Sequence, residues 1–108
     1  MKFVLDVVHV FDGARRSNEA LYFKDQAFRS AASAALNYGE AQAAESRKDF
    51  AHKCAIVLKE LRECYVSIRL LNMLDKNLKP GLIPILKENN ELISIFVKTV
   101  SKAKANKQ

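Results

Sequence analysis

The stretch Ser46 to Leu71, SRKDFAHKCAIVLKELRECYVSIRLL, decides the fold. Ser46-Arg47-Lys48-Asp49 has the form of a capping box, in which the serine side chain takes an orphan amide at a helix start. Asp49 is placed to reach back to the serine N–H, although Glu or Gln more often fills that position. Then Phe50, Cys54, Val57, Leu61, Cys64, Ile68 and Leu71 recur at alternating intervals of four and three. That 3.5-residue repeat belongs to helices packed side by side at a shallow angle. It predicts a long helix ending near Asp75-Lys76-Asn77.

Three further helices follow on either side. The first is expected from Lys2 to about Gly13, with Phe3, Val4, Val7, Val8 and Phe11 on one side, although its valines would also suit a strand. The second is expected from Asn18 to Ala44, with an apolar arc of Ala27, Phe28, Ala31, Ala34, Ala35 and Tyr38. Its small side chains let a neighbour approach closely. Pro80-Gly81 punctuates the next connection. The fourth helix is expected from Leu82 to about Lys102, with Pro84 tolerable only in its first turn. There Leu82, Leu86, Asn89, Ile93, Phe96 and Val100 repeat the heptad spacing with one polar member, and Ile85, Leu92 and Ile95 add a second apolar edge. The expected fold class is all-α, an up-down antiparallel four-helix bundle forming a single domain over residues 1–108.

Composition agrees. A chain of 108 residues with 49% hydrophobic side chains suits one domain, and three Gly with two Pro leave little for the turns of an all-β fold. The net charge is +6, yet residues 98–108 hold four lysines and no acidic residue, so residues 1–97 carry only +2. That basic, frayed tail is either solubilising or a nucleic-acid contact. The apolar N-terminus superficially resembles a signal peptide, but Asp6, His9 and Asp12 interrupt it. No segment approaches the roughly 18 uninterrupted apolar residues of a membrane span. Cys54 and Cys64 share one helical stripe roughly 15 Å apart, too far for a disulfide, and read as free thiols in the core. A cytoplasmic protein with no membrane contact is the expectation.

Templates for catalysis fail. His9 and His52 lack a ligand partner at i+3 or i+4, there is no CxxC pair, and no Gly-rich phosphate loop exists. Both cysteines face the core by periodicity, without a general base. Glu60 and Glu63 share a face but stand beside Lys59 and Arg62, which makes them solvated or ion-paired carboxylates. No enzyme activity, metal, cofactor or small-molecule substrate is expected.

Nucleic-acid binding retains support. Arg47 and Lys48 stand at a helix N-terminus, where amides and dipole also favour a phosphate. Lys53 follows, Arg15 and Arg16 are expected at the same end of the bundle, and Lys98, Lys102, Lys104 and Lys107 supply the tail. Such contacts would be backbone-directed and salt-sensitive. On the second helix Gln26, Arg29, Ser33, Asn37 and Glu40 fall within about 80° of arc, either a solvated face or a hydrogen-bonded seam.

The segment Gln26 to Leu71 resembles the bacterial four-helix-bundle family that includes proteins encoded in ribosomal-RNA intervening sequences. That family reads Q-x-x-R-x-A-x-S-x-x-x-N-x-x-E, matched by Gln26, Arg29, Ala31, Ser33, Asn37 and Glu40. It continues S-[KR]-x-[DE]-F, matched by Ser46, Arg47, Asp49 and Phe50, and I-x-L-x-x-L-x-E, matched by Ile56, Leu58, Leu61 and Glu63. The chain departs from it at Ala35, often proline, at Ala41, often glycine, and at Ala43-Ala44-Glu45, where the family carries a basic run. Related accessory proteins of diversity-generating retroelements form pentameric barrels and associate with a reverse transcriptase and nucleic acid. The resemblance therefore implies a homopentamer, and an ordered polar seam in which Arg29 or Asn37 bonds to Glu63 or Glu40. The expected function is a non-enzymatic homo-oligomeric bundle associating with RNA or a nucleic-acid-handling partner, such as a ribosome-related or reverse-transcriptase complex. The alternative is a protein-interaction scaffold without a nucleic-acid role.

Overall fold

The computed structural model describes residues 1–10, 17–75 and 79–105. Its helices are α1 (Phe3–Val10), α2 (Asn18–Gln42), α3 (Arg47–Leu74) and α4 (Lys79–Ala105). No strand occurs among the described residues. The bundle measures 49 × 20 × 19 Å. Contacts at matching depths give the direction of each pair. Lys53 meets Glu40 and Cys64 meets Ala27 across α2 and α3, while across α3 and α4 Asn89 meets Leu61 and Lys104 lines one groove with Arg47 and Lys48. Each pair is antiparallel. α1 packs on both α2 and α4 and closes the ring.

The α3 heptad is the core. Cys54, Val57, Leu61, Cys64, Ile68 and Leu71 are fully buried, and Phe50 packs partly buried against them. Each large aliphatic side chain removed from water in this way stabilises the fold by roughly 1.5–3 kcal/mol. Both cysteines are free and buried. The Cys64 thiol donates to the Ala27 carbonyl at 3.5 Å. Burial, with a smaller contribution from Glu60, pushes its pKa up to about 12.

α2 reaches this core through alanine. Ala20, Ala27, Ala31, Ala34 and Ala41 are buried, so its backbone lies close to its neighbours. Phe28, expected on that arc, is instead 44% exposed. It stands one residue, or about 100°, beyond Ala27, outside the narrow stripe that alanine packing requires. On α4, Leu82, Ile85, Phe96 and Val100 are buried with the polar Asn89, whereas Ile95 stays 54% exposed.

The helix ends differ from expectation in two places. α4 begins at Lys79, not Leu82, and therefore contains Pro84 beyond its first turn. The missing proline amide removes one backbone hydrogen bond, but Leu82 and Ile85 are buried on either side of it and hold the turn. Gly81 lies where α1 crosses. A Cβ there would stand 2.8 Å from Val10 Cγ2. The other difference is the C-terminal end of α4, which runs to Ala105 rather than about Lys102. The remainder of the first expected helix, from Phe11 to Gly13, lies outside the described residues.

Candidate nucleic-acid interface

Ser46 sets the position of the site. In extended conformation it caps α3, its Oγ accepting from the Asp49 amide at 3.0 Å. This is the serine half of the capping box read in the sequence. The cap leaves Arg47 and Lys48 exposed in the first turn of the helix. Because α4 runs antiparallel to α3, its last turns come alongside. Lys102 lines a groove of about 600 Å³ together with Glu45, Ser46, Arg47, Phe50 and Thr99. A neighbouring groove of about 280 Å³ is lined by Arg47, Lys48, His52 and Lys104. One end of the bundle thus gathers basic groups from the start of α3 and the end of α4, with Glu45 as an acidic member. Lys98 is exposed four residues before Lys102 on α4.

The other expected contacts are placed differently. Lys53 Nζ donates to the Glu40 carboxylate at 2.9 Å, tying α3 to α2. That hydrogen bond and the Glu40 charge raise the Lys53 pKa above its ordinary value. Its charge is already engaged. Arg15, Arg16 and Lys107 lie outside the described residues. Ser17, which follows Arg16, accepts from the Ala20 amide at 3.1 Å and caps the start of α2. This is the end of α2 far from Ser46, since α2 and α3 are antiparallel.

The polar strip on α2 does not form the expected bonds to Glu63. Arg29 Nε donates to Asp25 at 2.7 Å, an exposed pair one turn apart on the same helix. Asn37 Nδ2 donates to the Ser33 carbonyl at 2.9 Å and to the Ser33 hydroxyl at 3.3 Å, also within α2. These partners lie one turn back, where a short or forked side chain reaches without crossing to another helix. Glu40 makes the strip's bond to α3, and its partner is Lys53. Gln26 and Glu63 line one shallow groove between α2 and α3. Burial and the Glu63 charge raise the half-buried Glu60 carboxyl.

Two groups at the basic end were not among the contacts expected from the sequence. His52 and Phe50 both line its grooves, and their signal was proximity to Arg47 on the same two turns of helix. No group of three His, Cys, Asp or Glu able to hold a metal ion exists among the described residues. No described helix is long and apolar enough to cross a membrane.

A family model described as 23S rRNA-intervening sequence protein matches residues 1–98. No curated protein and no solved structure matches the chain.

Proposed function

The chain belongs to the 23S rRNA-intervening sequence protein family, and from that premise we propose that it is a non-enzymatic, homo-oligomeric bundle that associates with RNA. The observation that carries this reading is the convergence of Arg47 and Lys48 with Lys102 and Lys104 at one end of the molecule. Lysines on exposed helical turns attract phosphates by charge and release counterions on binding, without reading bases. The contact is therefore directed at the backbone and indifferent to sequence.

Self-association, with a homopentamer as the expected form, rests on a different face. Tyr22 on α2 and Val66 and Met73 on α3 are 59%, 55% and 70% exposed. Val66 and Met73 point away from the heptad core of their own helix, so α3 is apolar on two sides. The two buried thiols suit a reducing cytoplasm.

A filter-binding titration against generic RNA over a salt series tests the RNA contact. Affinity falls as salt rises, and neutralising Lys48, Lys102 and Lys104 together flattens the slope by roughly one unit for each phosphate these lysines engage. RNA affinity that is absent at low salt, or insensitive to salt, ends the proposal. Light scattering tests the assembly: five copies of the 12.2 kDa chain are expected, and a monomer contradicts it.

A further inference from the structure

The charges of α3 and α4 are sorted by side. The buried repeat of α3 has two flanks. On one, Lys53 reaches Glu40 of α2, and Glu60 and Ser67 follow at successive sevens. On the other, Ala51 and Ala55 line a groove with Ala103 and Lys104 of α4. The acidic residues of α3 keep to the α2 side: Asp49 acts on Lys53, Glu60 lies in line with it, and Glu63 borders the groove against α2. Lys48, His52, Lys59, Arg62 and Arg69 recur at intervals of four, seven, three and seven. That heptad spacing puts them on the outer edge of the helix and its α4 side, and all five are exposed.

α4 is sorted in the same sense. Glu88 faces Asp6 of α1, with Glu91 close by, so both carboxylates stand on the side away from α3. Toward α3 and along its outer edge, α4 exposes Lys87, Asn90, Ser94, Ser101 and Lys104. The two helices therefore share a face without an acidic residue. From Lys48 to Arg69 it rises roughly 31 Å, on a bundle 49 Å long. Neither ion pair among the described residues, Arg29–Asp25 or Lys53–Glu40, draws on this row. α1 packs on α2 and α4, on the opposite side of α4, and does not approach it.

A straight row of cations on two rigid helices suits a partner whose own charges repeat along a line. No Phe or Tyr of α3 or α4 is exposed, so the face has no platform on which unpaired bases would stack. An A-form duplex needs none, because it is held through phosphates and shape. Val66 and Met73 stand on the α2 side of Arg62 and Arg69, so self-association through them leaves the row open.

We infer that the α3–α4 face binds double-helical RNA, its phosphate backbone lying along Lys59, Arg62, Arg69 and Lys87 and reaching the end of the bundle at Lys48 and Lys104. This surface extends the RNA contact proposed above, on which it rests, from the end of the molecule to its side.

Fluorescence anisotropy of the whole protein tests it, with a labelled RNA duplex of about 16 base pairs and an unpaired strand of the same length as probes. The duplex is expected to bind more tightly than the strand. Lys59→Gln, Arg62→Gln and Lys87→Gln together keep the native melting temperature. They lower the salt slope by roughly three units and the duplex affinity on the order of a hundredfold. Lys2→Gln, Lys24→Gln and Arg29→Gln remove the same charge from α1 and α2 and weaken duplex binding less than about threefold. Equal or tighter binding of the unpaired strand overturns the proposal. Equal losses in the two triple variants also overturn it, since net charge alone then accounts for binding. If the first triple variant binds as the native protein does while Lys102→Gln does not, the contact is confined to the bundle end. That result sinks the face and leaves the RNA proposal standing, whereas a native protein that binds neither probe at low salt ends both.

Discussion

From inside the α3–α4 interface, Asn89 Nδ2 donates to the Leu61 carbonyl at 3.0 Å. Both residues are fully buried. The Asn89 Oδ1 is buried with no partner among the described residues. The amide is therefore half satisfied at an apolar heptad position. A shift of α4 by one turn would leave the donor unmatched too, so the bond selects one register of α4 on α3.

Asn89→Leu removes the orphaned oxygen while conserving volume, and is expected to leave thermal stability unchanged or raised. Asn89→Asp places an unpaired charge at the same point and is expected to lose about 3–5 kcal/mol. Chemical denaturation of the two variants measures the contrast. Equal stability of the leucine and aspartate forms contradicts the buried position.

Gly39 and Gly81 both lie within helices yet should respond in opposite ways to alanine. A Cβ at Gly39 meets nothing within 4 Å, so Gly39→Ala is expected to stabilise by about 0.5–1 kcal/mol through reduced chain entropy. At Gly81 the new methyl meets Val10 at 2.8 Å. Gly81→Ala must displace the Val10 side chain or the end of α1 that carries it, at a loss on the order of 1–3 kcal/mol. Paired urea titrations distinguish them.

α1 docking should weaken as pH rises. Glu88 on α4 is held above its ordinary pKa of 4.5 by burial first and then by Asp6 of α1, with Lys2 acting in the opposite sense and Glu91 adding to the rise. A carboxyl with a raised folded pKa contributes stability below its unfolded value and loses that contribution as pH climbs through the folded value. Glu88→Gln is therefore expected to melt higher than the native protein at neutral pH, with the two curves converging below about pH 4.5. Parallel curves across the whole range would dismiss the Asp6–Glu88 pairing.

The thiols should be inert until the bundle opens. Cys54 and Cys64 are buried, burial raises both pKa values, and that of Cys64 reaches about 12. At about pH 8 a chromogenic disulfide reagent should label neither in the native protein and both in denaturant. Rapid native labelling of Cys64 would mean that α2 does not cover it.

Lys53 and Lys102 should contribute unequally to RNA affinity. Lys53 already donates to Glu40, so Lys53→Gln is expected to change RNA binding little, whereas Lys102→Gln lowers both affinity and the salt slope. The same salt titration measures both, and equal reductions would refute the distinction.

Much of this molecule was legible in the order of residues alone. Local rules sufficed for the Ser46 cap, the α3 heptad and the burial of both cysteines, because a 3.5-residue repeat puts one face of a helix in one place whatever its neighbours are. The heptad of α4 was readable for the same reason, including Asn89 as its polar member. The lysines of the α4 end were legible only as a basic run; their place beside Arg47 and Lys48 came from α4 folding back along α3.

Other features were decided only by tertiary packing. Whether Arg29 bonds to Asp25 or to Glu63 depends on the distance between helices, and here the partner one turn away is nearer. That Pro84 lies inside α4 depends on burial of Leu82 and Ile85 and on the close pass of Val10 over Gly81, which outweigh one missing backbone bond. Periodicity in the sequence determined which faces are buried; three-dimensional proximity determined which side chains meet.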